Sequence, residues 1–449
     1  MSGSSTGSPT GSTGPIGRET PRDLGATELE ARVVDAERRR ERLLTQIGGR
    51  RAELPLRYWS QAAHFTTPAG DESMARKAIT GTAPVGRIMA RFGVSAVELA
   101  ERLGLPAAAV EAALANPRPA PMVMLDGEDA QALRDDVLDA GLDAAVTVLR
   151  DEEAFAAAGS PRPLRFYRPP GIGLERGARD LLAVLLGAGR GLPPERYPID
   201  GIVFPKIEHP EEVDWLYETL EAAEQRLGLP NGRIRVAFLI ESGWGAARLP
   251  EIALRAAPRL CALIFGIADY SADLGLPSIS NEHPLADWAR AEIVNTAGAV
   301  GVPAIDAMTL EFPVADPALD IAANRARFLD RMALVHGDAV RAREIGMLGK
   351  WVGHPAQLLA VLLAFEAGGA AESLEDEAAK LEAYRASVED EAKGATMIGG
   401  VMSDRATDRH AREVLRRAVA AGRFDRARAR LLGVISEAEE SELAGGFAG

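Results

Sequence analysis

The sequence predicts an α/β fold, a (β/α)8 TIM barrel with a helical insertion after the first β/α unit and a helical C-terminal extension. Short apolar runs of strand length alternate with helical patterns along most of the 449 residues. This alternation is typical of parallel strands joined by helical crossovers, and eight repeats of it are the number that closes a barrel. The predicted strands are Ala62–Thr67, Met122–Leu125, Leu164–Tyr167, Ile202–Pro205, Val236–Ile240, Leu263–Phe265, Val302–Ile305 and Lys350–Gly353.

The stretch from Arg235 to Gly275 contains the clearest unit of this pattern. Val236–Ile240 is apolar and stops at Glu241, and after a helical segment Leu263–Phe265 stops shortly before Asp269. Strand, helix and strand imply a parallel pair, so both acids lie at the same end of adjacent strands. In a barrel that end carries the active site, and two converging carboxylates there suit a divalent ion.

The rest of the chain divides by composition. A tail rich in Gly, Ser, Thr and Pro with little apolar content is predicted to be disordered. The predicted divisions are a disordered tail at 1–25, an N-terminal helix at 26–58, a barrel at 59–355 with a helix-turn-helix-like insertion at 79–117, and a helical extension at 356–449 that carries Asp404.

Composition restricts the classes of function. The formal net charge is -14, which disfavours nucleic acid as a general partner, and hydrophobic residues make up 47% of the chain. No apolar run approaches the length of a membrane span, so we expect no membrane association. One cysteine, Cys261, excludes an internal disulfide framework and suggests a cytoplasmic location.

Polar residues follow nearly every predicted strand. They are Asp126, Glu128 and Asp129 after strand two, Arg165 and Arg168 at strand three, Lys206 and Glu208 after strand four, Glu241 and Asp269 after strands five and six, Asp306 after strand seven, and His354 after strand eight. Charges at one face of a barrel predict an anionic, metal-assisted site. Carboxylate oxygens suit Mg²⁺, which keeps positions open for substrate oxygens, and an arginine fork suits a substrate carboxylate.

The segments around these residues resemble the citrate lyase beta subunit / malyl-CoA lyase family of carbon–carbon lyases. Six segments match in order: HFTTPAGDESMARKA, MLDGEDA, FPKIEHPEEV, LIESGWGAARLPEIA, ALIFGIADYSADLG and GKWVGHPAQL. GGVMSDRATDRHAREVL is similar to a helix start of the CoA-dependent members, with Ala406 in place of Pro. Gly127 stands where the family has Leu, and no Asn follows the arginines of RFYRPPG.

The resemblance implies a role for each matching residue. Glu241 and Asp269 match the ligands of Mg²⁺, with Mn²⁺ as an alternative ion. Arg168, or Arg165, matches the arginine that holds the substrate carboxylate, and strand parity favours Arg168 because it shares a face with Leu164 and Phe166.

The resemblance also covers residues around these. Asp404 matches the carboxylate that moves a proton at the acyl carbon, often in a neighbouring subunit's site, so Asp404 and Arg168 are the expected catalytic residues. The remaining matches are Glu128 and Asp129 beside the metal, Glu208 near them at the barrel mouth, and Lys206 and Gly266 at the substrate.

Structural interpretations of these residues stay open. Glu241 and Asp269 could cap helices or pair with Arg248 or Lys206, and Arg168 could be a surface salt-bridge partner. Asp404 could be the N-cap of the helix that follows it, a common use of Asp. His354, Trp244, Trp351 and Cys261 are interpreted as packing residues.

The resemblance implies a Mg²⁺-dependent lyase that cleaves or forms a carbon–carbon bond in a 2-hydroxy acid CoA thioester such as malyl-CoA, citramalyl-CoA or citryl-CoA. The partners that the resemblance implies are a small hydroxy- or oxo-acid linked to CoA and further copies of the chain in a trimer or hexamer. One alternative is a 2-oxo-acid aldolase that does not use CoA. Another is a regulatory protein that binds DNA through the segment 81–116.

Overall fold

The computed structural model describes residues 26–48, 52, 54–132, 134–158, 161–367, 371–391, 395–398 and 400–444. The predicted disordered tail at 1–25 lies outside the described residues. The chain divides into two compact units, 1–50 and 51–449. The first contains one described element, the charged helix α1 (Ala26–Gly48).

Eight parallel strands close into a barrel in the second unit, which confirms the predicted fold class. The strands pair in sequence order, and β1 pairs with β8 to close the ring. They are β1 (Ala63–Pro68), β2 (Met122–Asp126), β3 (Leu164–Arg168), β4 (Gly201–Phe204), β5 (Arg235–Ile240), β6 (Leu260–Phe265), β7 (Ala304–Asp306) and β8 (Gly349–Val352).

The strands are almost continuously apolar because both of their faces are buried, one in the barrel and one under the helices. In β5 and β6 every residue except Arg235 is buried. Strand six begins at Leu260, three residues before the predicted Leu263, and strand seven begins at Ala304 rather than Val302. The amide of Val302 donates to the Ala297 carbonyl oxygen at 3.0 Å, so Val302 completes the C-terminal turn of the preceding helix.

Helices follow the strands and cover the barrel. They are α2 (Glu72–Thr80), α3 (Val85–Arg91), α4 (Ala96–Leu103), α5 (Ala107–Ala115), α6 (Asp135–Leu149), α7 (Glu152–Ala157), α8 (Gly177–Gly189), α9 (Pro210–Leu227), α10 (Gly243–Ala247), α11 (Leu249–Ala256), α12 (Ile267–Asp273), α13 (Pro284–Val300), α14 (Ile321–Ile345) and α15 (Pro355–Ala367). No helix among the described residues combines the length and the apolar character that a membrane crossing requires.

The predicted insertion consists of α3, α4 and α5 and packs against the outside of the barrel. Phe92 stacks on Phe328 of α14 with ring centroids 4.5 Å apart, and Arg102 pairs with Asp330 at 2.6 Å. Arg325 of α14 pairs with Glu98 in α4. Two of the charged residues of α4, Glu98 and Arg102, are therefore paired with α14, and α5 has no basic residue.

The C-terminal extension forms a second, smaller core. Its elements are α16 (Ala371–Glu391), β9 (Thr396–Ile398), β10 (Val401–Ser403), α17 (Arg405–Ala420), α18 (Arg426–Leu431) and α19 (Glu437–Ala444). Leu415 of α17 and Leu381 of α16 pack there with Leu56, which lies in the 3₁₀ turn just before β1. The extension is therefore anchored at the amino end of the barrel, opposite the carboxyl ends of the strands.

Candidate active site

Arg168 lies at the centre of a cluster of acids at the carboxyl ends of the strands. Its side chain is 3% exposed. The carboxylates around its guanidinium are those of Glu128 at 2.5 Å, Asp129 at 2.7 Å, Asp126 at 3.4 Å and Glu241 at 4.0 Å. Burial alone would lower the pKa of Arg168, but the acids outweigh it and the pKa is raised. Arg168 is therefore a permanently charged group in a low-dielectric position.

Strand register explains why Arg168 reaches this cluster. It is the last residue of β3 and lies beside Asp126, the last residue of β2. Arg168 shares the face of Leu164 and Phe166, and its guanidinium carbon lies 5.7 Å from the ring centroid of Trp351. The guanidinium consequently points toward the barrel axis between β2 and β8.

Lys206 is the second cation of the cluster. It follows β4 with φ of 51°, the one described non-glycine residue in the left-handed region. This backbone conformation directs its amide to Glu241 Oε1 at 2.8 Å. Its Nζ lies 2.9 Å from Glu128, 3.2 Å from Asp129 and 3.9 Å from Asp269. Lys206 thus links the acids after β2 to those after β5 and β6.

Glu241 is a buried acid whose pKa is raised well above its ordinary value. Its side chain is 2% exposed, and burial raises its pKa to about 8, with the charges of Asp269 and Glu128 adding to the effect and Arg168 opposing it. Arg168, which lies 4.0 Å away and is shared with three other carboxylates, balances the charge of Glu241 only in part. The site therefore favours the binding of a positive ion beside Glu241.

Asp269 completes the predicted pair of metal ligands. It lies in the first turn of α12, directly after β6, and is 43% exposed. The described residues contain no group of three or more acid, histidine or cysteine side chains arranged to hold a metal. Two carboxylates that leave most positions to water and substrate oxygens fit Mg²⁺, which usually keeps several waters. The donor set therefore fits a Mg²⁺ ion held by Glu241 and Asp269.

The pKa values of Glu128 and Asp129 are shifted in opposite directions. Burial raises the pKa of Glu128, although Arg168 and Lys206 act against it. Burial acts in the same sense on Asp129, but Arg168 and Lys206 outweigh it there and lower its pKa. Asp129 is thus the acid that the two cations hold most firmly in the ionised form.

Two glycines leave room for the cluster. A Cβ atom on Gly127 would lie 2.4 Å from the hydroxyl oxygen of Tyr167, which explains why a glycine stands at this position. A Cβ atom on Gly266 would lie 2.7 Å from Cβ and 2.9 Å from Oε2 of Glu241. Gly266 therefore sets the position of the Glu241 carboxylate, whether or not it also touches a ligand.

Replacement of Gly266 by alanine is expected to displace Glu241. We expect Mg²⁺ affinity, measured by calorimetry, to fall at least ~10-fold and the free energy of unfolding to fall by about 1–3 kcal/mol, the usual cost of overpacking. Gly337→Ala in α14 is the matched control, because nothing lies within 4 Å of its added Cβ. Wild-type Mg²⁺ affinity in Gly266→Ala would contradict the role of this glycine.

Arg165 does not belong to the site, and this corrects one of the two candidates for the substrate carboxylate. Its Nη1 donates to Glu152 at 2.7 Å and to the Leu149 carbonyl oxygen at 3.0 Å, and its guanidinium lies 4.1 Å from the ring centroid of Phe155. These partners belong to the helices outside the barrel. The reason is the period of a strand, which turns Arg165 away from the face that carries Arg168.

Asp404 is likewise not in the cluster of its own chain. Its Oδ1 accepts the amides of Ala406 at 2.9 Å and Thr407 at 3.1 Å, so it is the N-cap of α17. Since α17 packs on Leu56 at the amino end of the barrel, the Asp404 carboxylate lies away from the strand carboxyl ends. This agrees with the interpretation of Asp404 as an N-cap, and within its own chain Asp404 lies apart from Arg168 and Glu241.

Glu208 lies at the rim of the cluster. Its carboxylate lines a cavity of about 550 Å³ together with Glu128, Asp129 and Lys206, and Ile172 supplies an apolar wall. The cavity has the size of a small-molecule site, and Lys206 in its wall also contacts Glu241 and Asp269. A substrate that enters it reaches Lys206 and Glu128.

Asp306 and His354 have structural surroundings. Asp306 is 1% exposed on its side chain and pairs with Lys350 and Arg290, both at 2.6 Å. Burial lowers the pKa of His354 to about 4, so its imidazole is neutral. His354 Nδ1 accepts the amide of Ala356 at 3.2 Å, which agrees with its interpretation as a packed residue.

Sequence reasoning named Asp126 at its strand end without giving it a role in the site, and it interpreted Trp351 as a packing residue. Asp126 accepts the amide of Glu128 at 3.0 Å and faces Arg168. Its position as the terminal residue of a strand was a usable signal for it. No sequence signal identified Trp351, because the position of its ring against Arg168 depends on the closure of β8 onto β1.

Comparison with known proteins gives matches of three kinds. A family model described as a domain of unknown function, DUF6986, matches residues 88–443. The L-malyl-CoA/beta-methylmalyl-CoA lyase of Haloarcula marismortui is 29% identical over 211 residues, which are 46% of this chain and 58% of that protein. The enzyme of the same description from Rhodobacter capsulatus is 30% identical over 239 residues, 49% of this chain and 67% of that protein. The matches thus span little more than half to two thirds of these relatives.

A solved structure resembles the fold over most of its length. The crystal structure of a citrate lyase from Burkholderia xenovorans superposes with a TM-score of 0.56 at 22% identity, covering 83% of this chain and 96% of that one. This likeness concerns the fold alone.

Proposed function

Because this chain belongs to the DUF6986 family and is a relative of the malyl-CoA lyases, we propose that it is a Mg²⁺-dependent carbon–carbon lyase of 2-hydroxy acid CoA thioesters. The observation that carries the proposal is the convergence of Glu241, Asp269 and Arg168 at the carboxyl end of the barrel, where a chelated anion can be held. Malyl-CoA, citramalyl-CoA and citryl-CoA share the chemistry that this arrangement suits, a hydroxyl on the carbon next to a carboxylate.

The residues of the cluster have different roles in the proposed reaction. Glu241 and Asp269 would hold Mg²⁺, which supplies Lewis-acid stabilisation of negative charge on a substrate oxygen. Arg168 presents a guanidinium whose position is fixed by four carboxylates and binds the substrate carboxylate. Lys206 holds the acids after β2 and lies at the wall of the cavity where the substrate enters.

A panel of substrates tests the proposal. The full chain is incubated with malyl-CoA, citramalyl-CoA and citryl-CoA and with free hydroxy-oxo acids, with Mg²⁺ and with a chelator, and the release of glyoxylate, pyruvate or oxaloacetate is measured. We expect Mg²⁺-dependent cleavage of at least one CoA thioester. Cleavage of free acids alone would replace the proposal with the aldolase alternative, and no cleavage of any substrate would refute both.

We expect Mg²⁺ affinity to depend on pH through Glu241. Its pKa of about 8 in the metal-free protein lies above the ordinary value of 4.5, so a proton must leave before it binds the ion. Affinity should rise ~10-fold per pH unit below pH 8 and level off above it. The free energy of unfolding of the metal-free protein should fall as the pH rises from about 4.5 to 8. Over this range the folded state binds more protons than the unfolded state does. Calorimetry between pH 6 and 9 measures the Mg²⁺ affinity, and unfolding curves of the metal-free protein measure the change in stability.

We further propose that Asp404 moves the proton at the acyl carbon in the site of a second copy of the chain. Asp404 directly follows β10, whose hairpin exposes Met397 by 64% and Met402 by 59%. Trp244, three residues beyond Glu241, is exposed by 61% at the barrel mouth. Exposed apolar side chains on both surfaces favour contact between copies.

Complementation tests this division of labour. Glu241→Gln and Asp404→Asn should each be inactive alone, and a refolded mixture of the two should regain activity because some sites combine intact residues from both. A mixture of Glu241→Gln with Arg168→Gln is the control, since both changes fall in the same half of the site and no combination is intact. If the first mixture stays as inactive as the control, Asp404 does not act in trans.

A further inference from the structure

One face of α17 and the amino end of the barrel enclose a large cavity. Its α17 wall consists of Ala406, Arg409, His410, Glu413, Arg416 and Arg417. The spacing of these residues, three or four apart, places them on a single face of the helix. The cavity has a volume of about 970 Å³, and Trp59 and Leu348 lie in its opposite wall.

The charges of this cavity are mostly positive and incompletely balanced. Arg416 forms an ion pair with Glu439. Arg417 donates its Nε to the carbonyl oxygen of Glu413 at 3.0 Å, but it has no described carboxylate within 4.0 Å. The same holds for Arg409, which is exposed. Two guanidinium groups therefore face the cavity without an ion-pair partner among the described residues.

A second cavity, of about 350 Å³, continues from the first. Trp59, Leu348 and Arg417 line both, so the two form one groove, which we call the α17 groove. Arg423 lines the second part, and its Nε is buried without a described hydrogen-bond partner.

Arg118 and Arg343 also line the second part, where Glu366 pairs with Arg118. Four arginines thus share one described carboxylate in this part of the groove. A protein with a net charge of -14 concentrates cations here, in a partly desolvated position where they attract anions most strongly.

We propose that the α17 groove binds a ligand through a di- or triphosphate group held by Arg409 and Arg417, which line the same cavity two turns apart on α17, while Arg423 adds positive charge farther along the groove. Guanidinium groups bind phosphate oxygens bidentately, and several unpaired ones together suit a polyanion rather than a single carboxylate. Trp59, half-buried in the wall shared by both parts, offers a surface for a planar ring attached to the phosphates. The groove lies at the end of the barrel opposite Arg168, so this site is separate from the proposed active site.

Titration calorimetry with the full chain tests the proposal. The probes are inorganic triphosphate, ATP, coenzyme A and adenosine, which separate the phosphate chain from the groups it can carry. We expect saturable binding of inorganic triphosphate and of ATP or coenzyme A, and no binding of adenosine alone. The affinity should fall as the salt concentration rises.

Variants locate the binding. Arg409→Gln and Arg417→Gln should each weaken it ~10-fold, the effect of losing one charged hydrogen bond. Arg226→Gln, an exposed arginine at the end of α9, and Glu241→Gln at the barrel mouth should leave it unchanged. Circular dichroism verifies that each variant is folded.

Three results would overturn the proposal. They are the absence of saturable binding for every phosphorylated probe, affinity unchanged in both groove variants, and binding lost in Glu241→Gln, which would place the ligand at the barrel mouth. A changed oligomeric state in Arg409→Gln without any phosphate binding would show instead that a second copy fills the groove.

Discussion

Glu241→Gln is expected to abolish Mg²⁺ binding and to reduce carbon–carbon lyase turnover at least ~100-fold while leaving the fold intact. The amide keeps an oxygen that accepts the Lys206 amide hydrogen, so the backbone after β4 retains its bond. At pH 7 the metal-free wild type already holds a proton on Glu241, because the pKa of that group is about 8. The variant is therefore close to the protonated wild type in charge and shape, and the loss falls on the metal alone.

Thermal unfolding with and without Mg²⁺, together with turnover assays, checks this result. Mg²⁺ should raise the melting temperature of the wild type but not that of Glu241→Gln, since only a ligand that binds the folded state stabilises it. Glu251→Gln removes an acid that is 63% exposed on α11 and serves as the matched control. Full turnover in Glu241→Gln would show that the metal assignment is wrong.

Arg168→Gln is expected to lower both activity and stability, the latter by ~3–5 kcal/mol at pH 7. Without the guanidinium, Asp126 and Glu128 remain buried with Lys206 as the nearest cation, and their charges are no longer balanced. The loss of stability should shrink toward pH 5, because the buried acids then take up protons and their repulsion disappears.

Urea unfolding curves at pH 7 and pH 5 measure this effect. Arg168→Lys keeps the charge but loses the fork, so it should recover part of the stability and little of the activity. Arg226→Gln is the control for loss of an exposed arginine. A change of less than ~1 kcal/mol at pH 7 in Arg168→Gln would show that the cluster does not depend on this cation.

The barrel and the resemblance to the malyl-CoA lyases are both confirmed, and both could be obtained from the sequence. The reason is that the signals are local. A buried strand is a short apolar run, and the residue after it lies at the carboxyl end wherever the strand is placed. Glu128, Arg168, Lys206 and Glu241 could be assigned to one face of the barrel on that basis, and they lie there together.

Other features depend on residues that are distant in sequence. The left-handed backbone of Lys206, which aims its amide at Glu241, has no sequence pattern that predicts it for a lysine. Position 127 requires a glycine because the side chain of Tyr167, in the next strand, occupies the space that a Cβ atom would need.

The eight strands, the order of the motifs and the acids and arginine that follow the strands can be predicted from the sequence, because each depends on neighbouring residues and on the period of a strand. Two placements follow from the packing of distant segments: Arg165 faces away from the site, and Asp404 lies at the opposite end of its own barrel. The groove that α17 forms with Trp59, more than 340 residues earlier in the chain, follows from such packing as well. These depend on which surfaces pack against one another, and packing is settled by contacts across the whole chain rather than by any one segment.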